Sequence, residues 1–295
     1  MNISEFSFGS TTDEPDDYGT MESPNSTETP SDEEFDPLYD FTTLMMTKYF
    51  PIIYAIITVT GFVGNGLVML VILVNKNMRS TSNILILNLA ATDLLFVIIC
   101  VPFTAVYFAY ESWIFGDLFC RLYSYAHDVC VNVSAYTLVV MSIERYLAIV
   151  HPFTSVSLRS EKNAITCVLC LWLLGLTSCI HSVFIHGETK MSDTDENGES
   201  IEYFTCTFIE GINHFINSIW DFCFAFGIPT FVMLVLYSLV LHKLWFGISR
   251  SAQVNAKNLK HVTRTVVTVV LVFFICWCPT RIIGVLHVRL LPAYL

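Results

Sequence analysis

The sequence predicts an all-α membrane protein, a bundle of transmembrane helices, on three observations. Hydrophobic residues make up 54% of the 295 positions and charged residues only 14%. The mean hydropathy is +0.59, far above that of an ordinary soluble domain. The apolar residues also fall into runs long enough to cross a hydrocarbon layer, which takes about 20 of them as a helix. Six segments qualify, near 49–74, 83–108, 118–150, 163–184, 214–245 and 260–287. Each must be helical, because an isolated strand cannot satisfy its backbone groups in lipid.

Ahead of the first span, residues 1–47 hold twelve acidic residues, no lysine or arginine, and much Ser, Thr, Pro and Gly. Such a segment cannot bury enough apolar surface to fold and reads as a disordered acidic tail. It lacks the basic start of a cleaved signal, so the first span is expected to serve as the targeting segment. Lys76, Arg79, Arg159, Lys162, Lys243, Arg250, Lys257, Lys260 and Arg264 lie in one set of connections, and the other set is mainly acidic. The positive-inside bias then places the N-terminus outside the cell in a multi-pass plasma-membrane protein. Asn2 in Asn-Ile-Ser and Asn25 in Asn-Ser-Thr become glycan acceptors, whereas Asn132 in Asn-Val-Ser falls inside a span and is rejected.

Polar residues within the spans mark what the bundle is for, since a charge at mid-membrane costs at least about 2.5 kcal/mol on insertion scales. Asn65 in the first span and Asp93 in the second either knit two helices together or hold a monovalent cation. In the third span, His127 and Arg145 are about five helical turns apart, and Ser134 falls about 20° off the same line. The three therefore share one stripe. If Arg145 avoids lipid, Ser134 sits at a depth where Asp93 can use it. Glu144 can fold against Arg145 as a latch, or Arg145 is a plain interfacial anchor.

Further along, Cys120 opens the third span and Cys206 lies in the outer connection between the fourth and fifth. Both face an oxidising compartment, which favours a bridge that pins the acidic 188–210 segment over the bundle. The other cysteines sit mostly in spans, where they act as small apolar residues. Pro229 in the fifth span and Pro279 in the sixth each remove a backbone hydrogen bond and bend their helices. Phe273 and Trp277 on the turn before Pro279 point to a moving part rather than a static kink. His127 and Asp128 lie about 10 to 12 Å below Cys120 at 1.5 Å per residue, a depth a peptide end can reach. Arg281 is placed to pair with Asp128 or with a ligand. No metal site, nucleic-acid partner or cofactor is expected beyond a possible Na+ at Asp93, and no nucleophile–base pairing points to an enzyme.

These residues stand in motifs: "GNGLV" with Asn65, "LNLAATD" with Asp93, Cys120, "SIERYLAIVHP" with Arg145, Trp172, "GIP" with Pro229 then Tyr237, and "FFICWCP" with Phe273, Trp277 and Pro279. In this order and spacing, the stretch 48–288 resembles the rhodopsin-like (class A) G protein-coupled receptors. "VPFTAVYF", "WIFGDLFC", "SLRSEKNA" and "HVTRTVVTVVLVFFICWCP" are similar to the allatostatin-A and galanin group of neuropeptide receptors. The resemblance implies a short amidated peptide as extracellular ligand and a Gi/o-type heterotrimeric G protein as partner, within membrane lipid. It implies a switch of Glu144, Arg145, Tyr146, Tyr237, Phe273, Trp277 and Pro279, a sodium pocket of Asn65, Asp93 and Ser134, and ligand contacts at His127, Asp128, Trp277 and Arg281.

One departure from the family pattern stands at the end. After the sixth span the sequence continues as "HVRLLPAYL", so six of the seven helices are present and 289–295 reads as a truncated end. The expectation is a peptide receptor, or a truncated, non-signalling form of one that binds ligand or full-length receptor. A six-span transporter or channel is the remote alternative, for which matching broken spans or inverted repeats are required; neither is visible.

Overall fold

The computed structural model describes residues 44–75, 80–194, 200–246, 264, 267–268, 270–279 and 281–282. Asn2, Asn25, most of the acidic tail and the 289–295 segment lie outside the described residues. A π-helical turn, Met45–Tyr49, leads into α1 (Phe50–Val74), with Pro51 at the edge where its missing N–H is harmless. The second span is two helices, α2 (Thr81–Ile99) and α3 (Val101–Tyr110). Pro102, which the sequence reading passed over, breaks it by removing the amide that would bond back to Ile98. The Cys100 carbonyl just before the break accepts the Thr104 amide at 3.1 Å and the Thr104 hydroxyl at 3.0 Å.

The third span is the long α4 (Gly116–Val150). The fourth comprises α5 (Glu161–Ser178), a 3-10 turn (Cys179–His181) and α6 (Ser182–Ile185). The fifth comprises α7 (His214–Asp221), a π-helical turn (Phe222–Gly227) and α8 (Ile228–Phe246). Helix α9 (Val270–Pro279) is the continuous described stretch of the sixth. Five spans are long and apolar enough to cross a membrane by length and composition. Ser80 and Ser160 cap α2 and α5 by accepting the amides of Asn83 and Asn163.

The segment expected as an acidic loop is the one strand structure among the described residues. Strands β1 (His186–Thr194) and β2 (Ser200–Phe208) form an antiparallel hairpin, His186 opposite Phe208 and Thr194 opposite Ser200. Its second strand, "SIEYFTCTF", is rich in β-branched and aromatic residues, which suit a pleated surface. The Cys120–Cys206 disulfide, with Cα atoms 5.5 Å apart, ties it to the start of α4. The Trp113 amide donates to the Phe204 carbonyl at 2.7 Å, and the Phe204 amide to Ser112 Oγ at 3.0 Å.

Helix α4 is the axis of the bundle and the most enclosed span, while α1 exposes most of its apolar surface, as a lipid-facing helix must. One core cluster joins Leu85, Leu138, Met141, Met233, Tyr237 and Val270 across the second, third, fifth and sixth spans. A second joins Val129, Val133 and Cys179, with Trp172 packed on it. At Gly175 any Cβ would fall 2.7 Å from a methyl of Val133, so glycine permits the close approach of α5 to α4.

The polar residues of α4 meet the second span in antiparallel order. His127 lies against Phe96, Ser134 against Asp93, Thr137 against Asn88 and Arg145 against Ser82. Buried Asn88 joins three spans: its amide donates to Thr137 Oγ1 at 2.8 Å and its oxygen accepts the Trp172 indole N–H at 2.8 Å. Replacing Asn88 by Ala removes the acceptor of the Trp172 indole and the donor to Thr137, whose own hydroxyl still donates to the Val133 carbonyl at 2.6 Å. With interhelical hydrogen bonds in membranes averaging about 0.6 kcal/mol each, a loss of roughly 1 kcal/mol is expected, read as a lower thermal midpoint in detergent, with Trp172→Phe in the same background adding little.

Candidate functional site

Three levels of the bundle carry polar residues. At the hairpin end, a cavity of about 310 Å³ opens between the third, fourth and fifth spans, lined by Asp128, Asn132, Tyr136, His181, Trp220 and Asp221 among others. Asp128 is held at both oxygens. His127 Nδ1 lies 3.2 Å from Oδ1, and Ser182 donates a short hydrogen bond to Oδ2. Arg281 does not bond to Asp128, contrary to the pairing the sequence offered. Its guanidinium lies over the Trp277 ring, 4.9 Å from the centroid, and among the described residues no carboxylate is within ion-pair distance of it. Asp221 has no counterpart in the sequence reading, because a single Asp at the end of a helix carries no spacing signal.

Beside this cavity His186, outside the spans, bonds through Nδ1 to the Ser182 carbonyl at 3.1 Å and stacks on Phe208. Burial pushes its pKa below the ordinary histidine value, against the pull of Asp128. The imidazole is therefore neutral at physiological pH.

At mid-depth, a cavity of about 250 Å³ is bounded by Asp93, Phe96, Ser134, Phe273 and Trp277 among others. Ser134 Oγ donates to Asp93 Oδ1 over a long 3.4 Å. Asn65 donates to the Gly61 carbonyl of its own helix at 3.0 Å, and no described hydrogen bond joins it to Asp93. A line of rings leads away from this level: His127 to Trp277 at 6.5 Å, Trp277 to Phe273 at 6.2 Å, and Phe273 to Phe226 at 6.3 Å between centroids. Phe226 lies in the π turn before Pro229, and Tyr136 donates to the Phe224 carbonyl of that turn at 3.0 Å. The rings thus connect both proline-bearing spans to α4.

At the far end Glu144 and Arg145 are both buried, at 4% and 6% exposure. Arg145 Nε is 2.9 Å from Glu144 Oε2, so the latch read from adjacency is present as a charge contact. Neither atom has an aligned hydrogen bond, however. The aligned bond of Arg145 is a short one from Nη2 to Ser82. Glu144 instead accepts two bonds at Oε1 from Arg159, from Nε at 3.0 Å and Nη2 at 2.9 Å. Arg159 counted in the sequence only as a basic loop residue. Tyr237 is buried with its hydroxyl beside Ser142 and near Arg145, unaligned with either, and the Ser142 hydroxyl is spent on the Leu138 carbonyl at 2.7 Å. Tyr146 turns to His151, its hydroxyl 3.3 Å from Nε2.

The described residues form a bundle of membrane-length helices with a cavity at the hairpin end, a buried charge contact at the other and proline-bearing spans between them. Comparison with known proteins defines it further. Residues 64–291 match the 7 transmembrane receptor (rhodopsin family) pattern. The chain is 42% identical over 243 residues to the allatostatin-A receptor of Bombyx mori, covering 81% of this chain and 66% of that protein. It is 30% identical over 241 residues to galanin receptor type 2 of Mus musculus, covering 78% and 60%, and 30% identical over 243 residues to galanin receptor type 1 of Homo sapiens, covering 79% and 66%. The chain therefore belongs to the rhodopsin family of seven-transmembrane receptors, and it spans a little under two thirds of the length of the curated relatives it matches.

Removing the carboxylate charge leaves the buried Arg145 guanidinium and the partly exposed Arg159 guanidinium with no negative charge between them. Glu144→Gln is expected to cost about 3 kcal/mol, the scale of a broken buried ion pair, seen as a fall in thermal midpoint. Ile143→Ala on the exposed side of the same turn is the control, and an equal fall there would remove the special role of Glu144.

Proposed function

We propose that this chain acts as a receptor for a short amidated neuropeptide and passes the binding event to a Gi/o-type heterotrimeric G protein. The observation that carries this reading is the 42% identity to a protein named as an allatostatin-A receptor. The internal geometry supports it. A ligand end entering the 310 Å³ cavity meets Asp128 and Asp221, and Arg281 stacked on Trp277 stands close by to donate to a carbonyl or amide oxygen. Displacing Trp277 moves the ring line to Phe273 and Phe226 and changes the bend at Pro279 and Pro229. The far end of the sixth span then withdraws from Tyr237 and Arg145, exposing the guanidinium. The hairpin end faces the cell exterior in this reading, which suits the disulfide there, and the plasma membrane is the location.

The mid-depth cavity is proposed as a sodium pocket. Its support is a carboxylate held by one long hydrogen bond in an otherwise apolar space; Asn65 joins it on the family expectation. A cation there favours the closed bundle, because it tethers Asp93 and Ser134 across two spans.

Two measurements test these readings. Guanine-nucleotide exchange on a Gi-class G protein is followed in membranes from cells expressing the chain, as it stands and joined to a seventh span. An increase with amidated allatostatin-like peptide but not its free-acid form is expected; peptide-independent ion flux, or no response in either form, contradicts the receptor reading. Replacing choline by sodium is expected to raise the thermal midpoint of the parent and not of Asp93→Asn, and an equal rise in both removes the sodium pocket.

A further inference from the structure

We propose that Arg159 is a positioning residue of the switch: its two-bond grip holds the Glu144 carboxylate in place and thereby makes Arg145 releasable. This rests on the receptor reading above, but its geometry stands apart from any ligand. Glu144 supplies one negative charge to two guanidiniums. Its aligned hydrogen bonds both come from Arg159, through Nε and Nη2 to Oε1. Arg145 holds only the face-on charge contact at Oε2, with its aligned bond going to Ser82. The carboxylate's stronger partner is thus the loop arginine, although sequence adjacency favours Arg145.

The backbone is arranged to keep Arg159 there. Its carbonyl accepts the Thr81 hydroxyl at 2.9 Å from the start of α2, and its amide donates to the Ser155 carbonyl at 3.0 Å. Ser155 is buried, and its hydroxyl donates to the Leu147 carbonyl at 3.1 Å, anchoring the loop on α4. Ser160, the next residue, caps α5. Three spans therefore fix the position from which the side chain reaches. The Arg159 side chain is 32% exposed against 7% for Arg145. It therefore keeps part of its hydration and loses less on pairing.

The consequence concerns what happens when Arg145 leaves. In a two-member latch the departing guanidinium strands a buried carboxylate, and that uncompensated charge pulls it back. With Arg159 in place the carboxylate stays paired and hydrogen-bonded, and the second cation repels Arg145. Release is easier than an isolated pair would allow. Arg159→Ala hands the whole carboxylate to Arg145 and tightens the latch.

The test compares Arg159→Ala, Arg159→Lys, Glu144→Gln and the double variant Glu144→Gln/Arg159→Ala in the nucleotide-exchange assay and in thermal unfolding. Arg159→Ala is expected to lower basal exchange severalfold and to raise the peptide concentration needed, with Arg159→Lys intermediate. Glu144→Gln is expected to raise basal exchange, and adding Arg159→Ala to it to change nothing further. A rise in basal exchange with Arg159→Ala, or the same fall with Glu144 already replaced, overturns the proposal. Thermal unfolding reads the contact without a G protein: the Glu144–Arg159 double-mutant cycle must show coupling, and its absence sinks the inference even in a chain that responds to peptide. Coupling in a chain with no peptide response sinks the receptor reading and leaves the Arg159–Glu144 contact standing.

Discussion

A guanidinium that cannot lose its proton must be neutralised where no water reaches it, and this constraint organises the arginine end of the bundle. Arg145 is enclosed by Glu144, Ser82 and Tyr237, drawn from three different spans, and the loop after α4 folds back so that Arg159 shares the carboxylate. The penalty for an unpaired buried charge is several kcal/mol, more than any single contact in the surrounding apolar core supplies. Packing of the second, third and fifth spans at that end is therefore dictated by charge as much as by shape. In the proposed switch, the same penalty requires any partner that takes up Arg145 to replace the contacts it leaves.

The remainder of α4 continues this logic along its length. One stripe of its polar residues, His127, Ser134, Thr137 and Arg145, is turned toward the second span in antiparallel register, from His127 opposite Phe96 to Arg145 opposite Ser82. Rings rather than hydrogen bonds carry the path from His127 through Trp277 to Phe226. Aromatic contacts tolerate sliding better than aligned hydrogen bonds do, so a rigid α4 flanked by proline-bent neighbours suits transmission between the ends. The hairpin is fixed to the same helix by the Cys120–Cys206 bridge and by the Glu188 amide, which donates to Asp117 Oδ1 at 3.0 Å, and to the connection before it through Trp113 and Ser112, which makes α4 the common reference for both ends.

What the sequence reveals and what it hides follow from the range of each interaction. The long spans are legible because hydropathy over about 20 residues is a local property. The stripe of His127, Ser134 and Arg145 is legible because helical periodicity is too. Glu144 beside Arg145 is visible as a neighbouring pair, but its sharing with Arg159 depends on how a ten-residue loop folds, which no period records. Pro102 breaks the second span in the manner expected of Pro229 and Pro279. The 200–208 strand has the right composition, yet its pairing is non-local, and the acidic residues around it read as loop. Asp221 joins the cavity, and Ser182 reaches Asp128 beside it, only because the fifth and fourth spans meet α4 there. The misplaced Asp128–Arg281 pairing has the same origin: Ser182 and His127 satisfy Asp128 first, and Arg281 settles on Trp277.

The interior placement of Arg145 is tested most directly by a nitroxide scan of α4 in lipid bilayers, moving one spin label through positions 134 to 149 and measuring collision with oxygen dissolved in the acyl chains. An inward-facing arginine predicts a minimum of oxygen accessibility at 145 and at 138 and 142 on the enclosed side, with the maximum of that turn at Ile143, the exposed residue there. A maximum at 145, or a profile with no helical period, would contradict the buried latch from which the proposed switch is built.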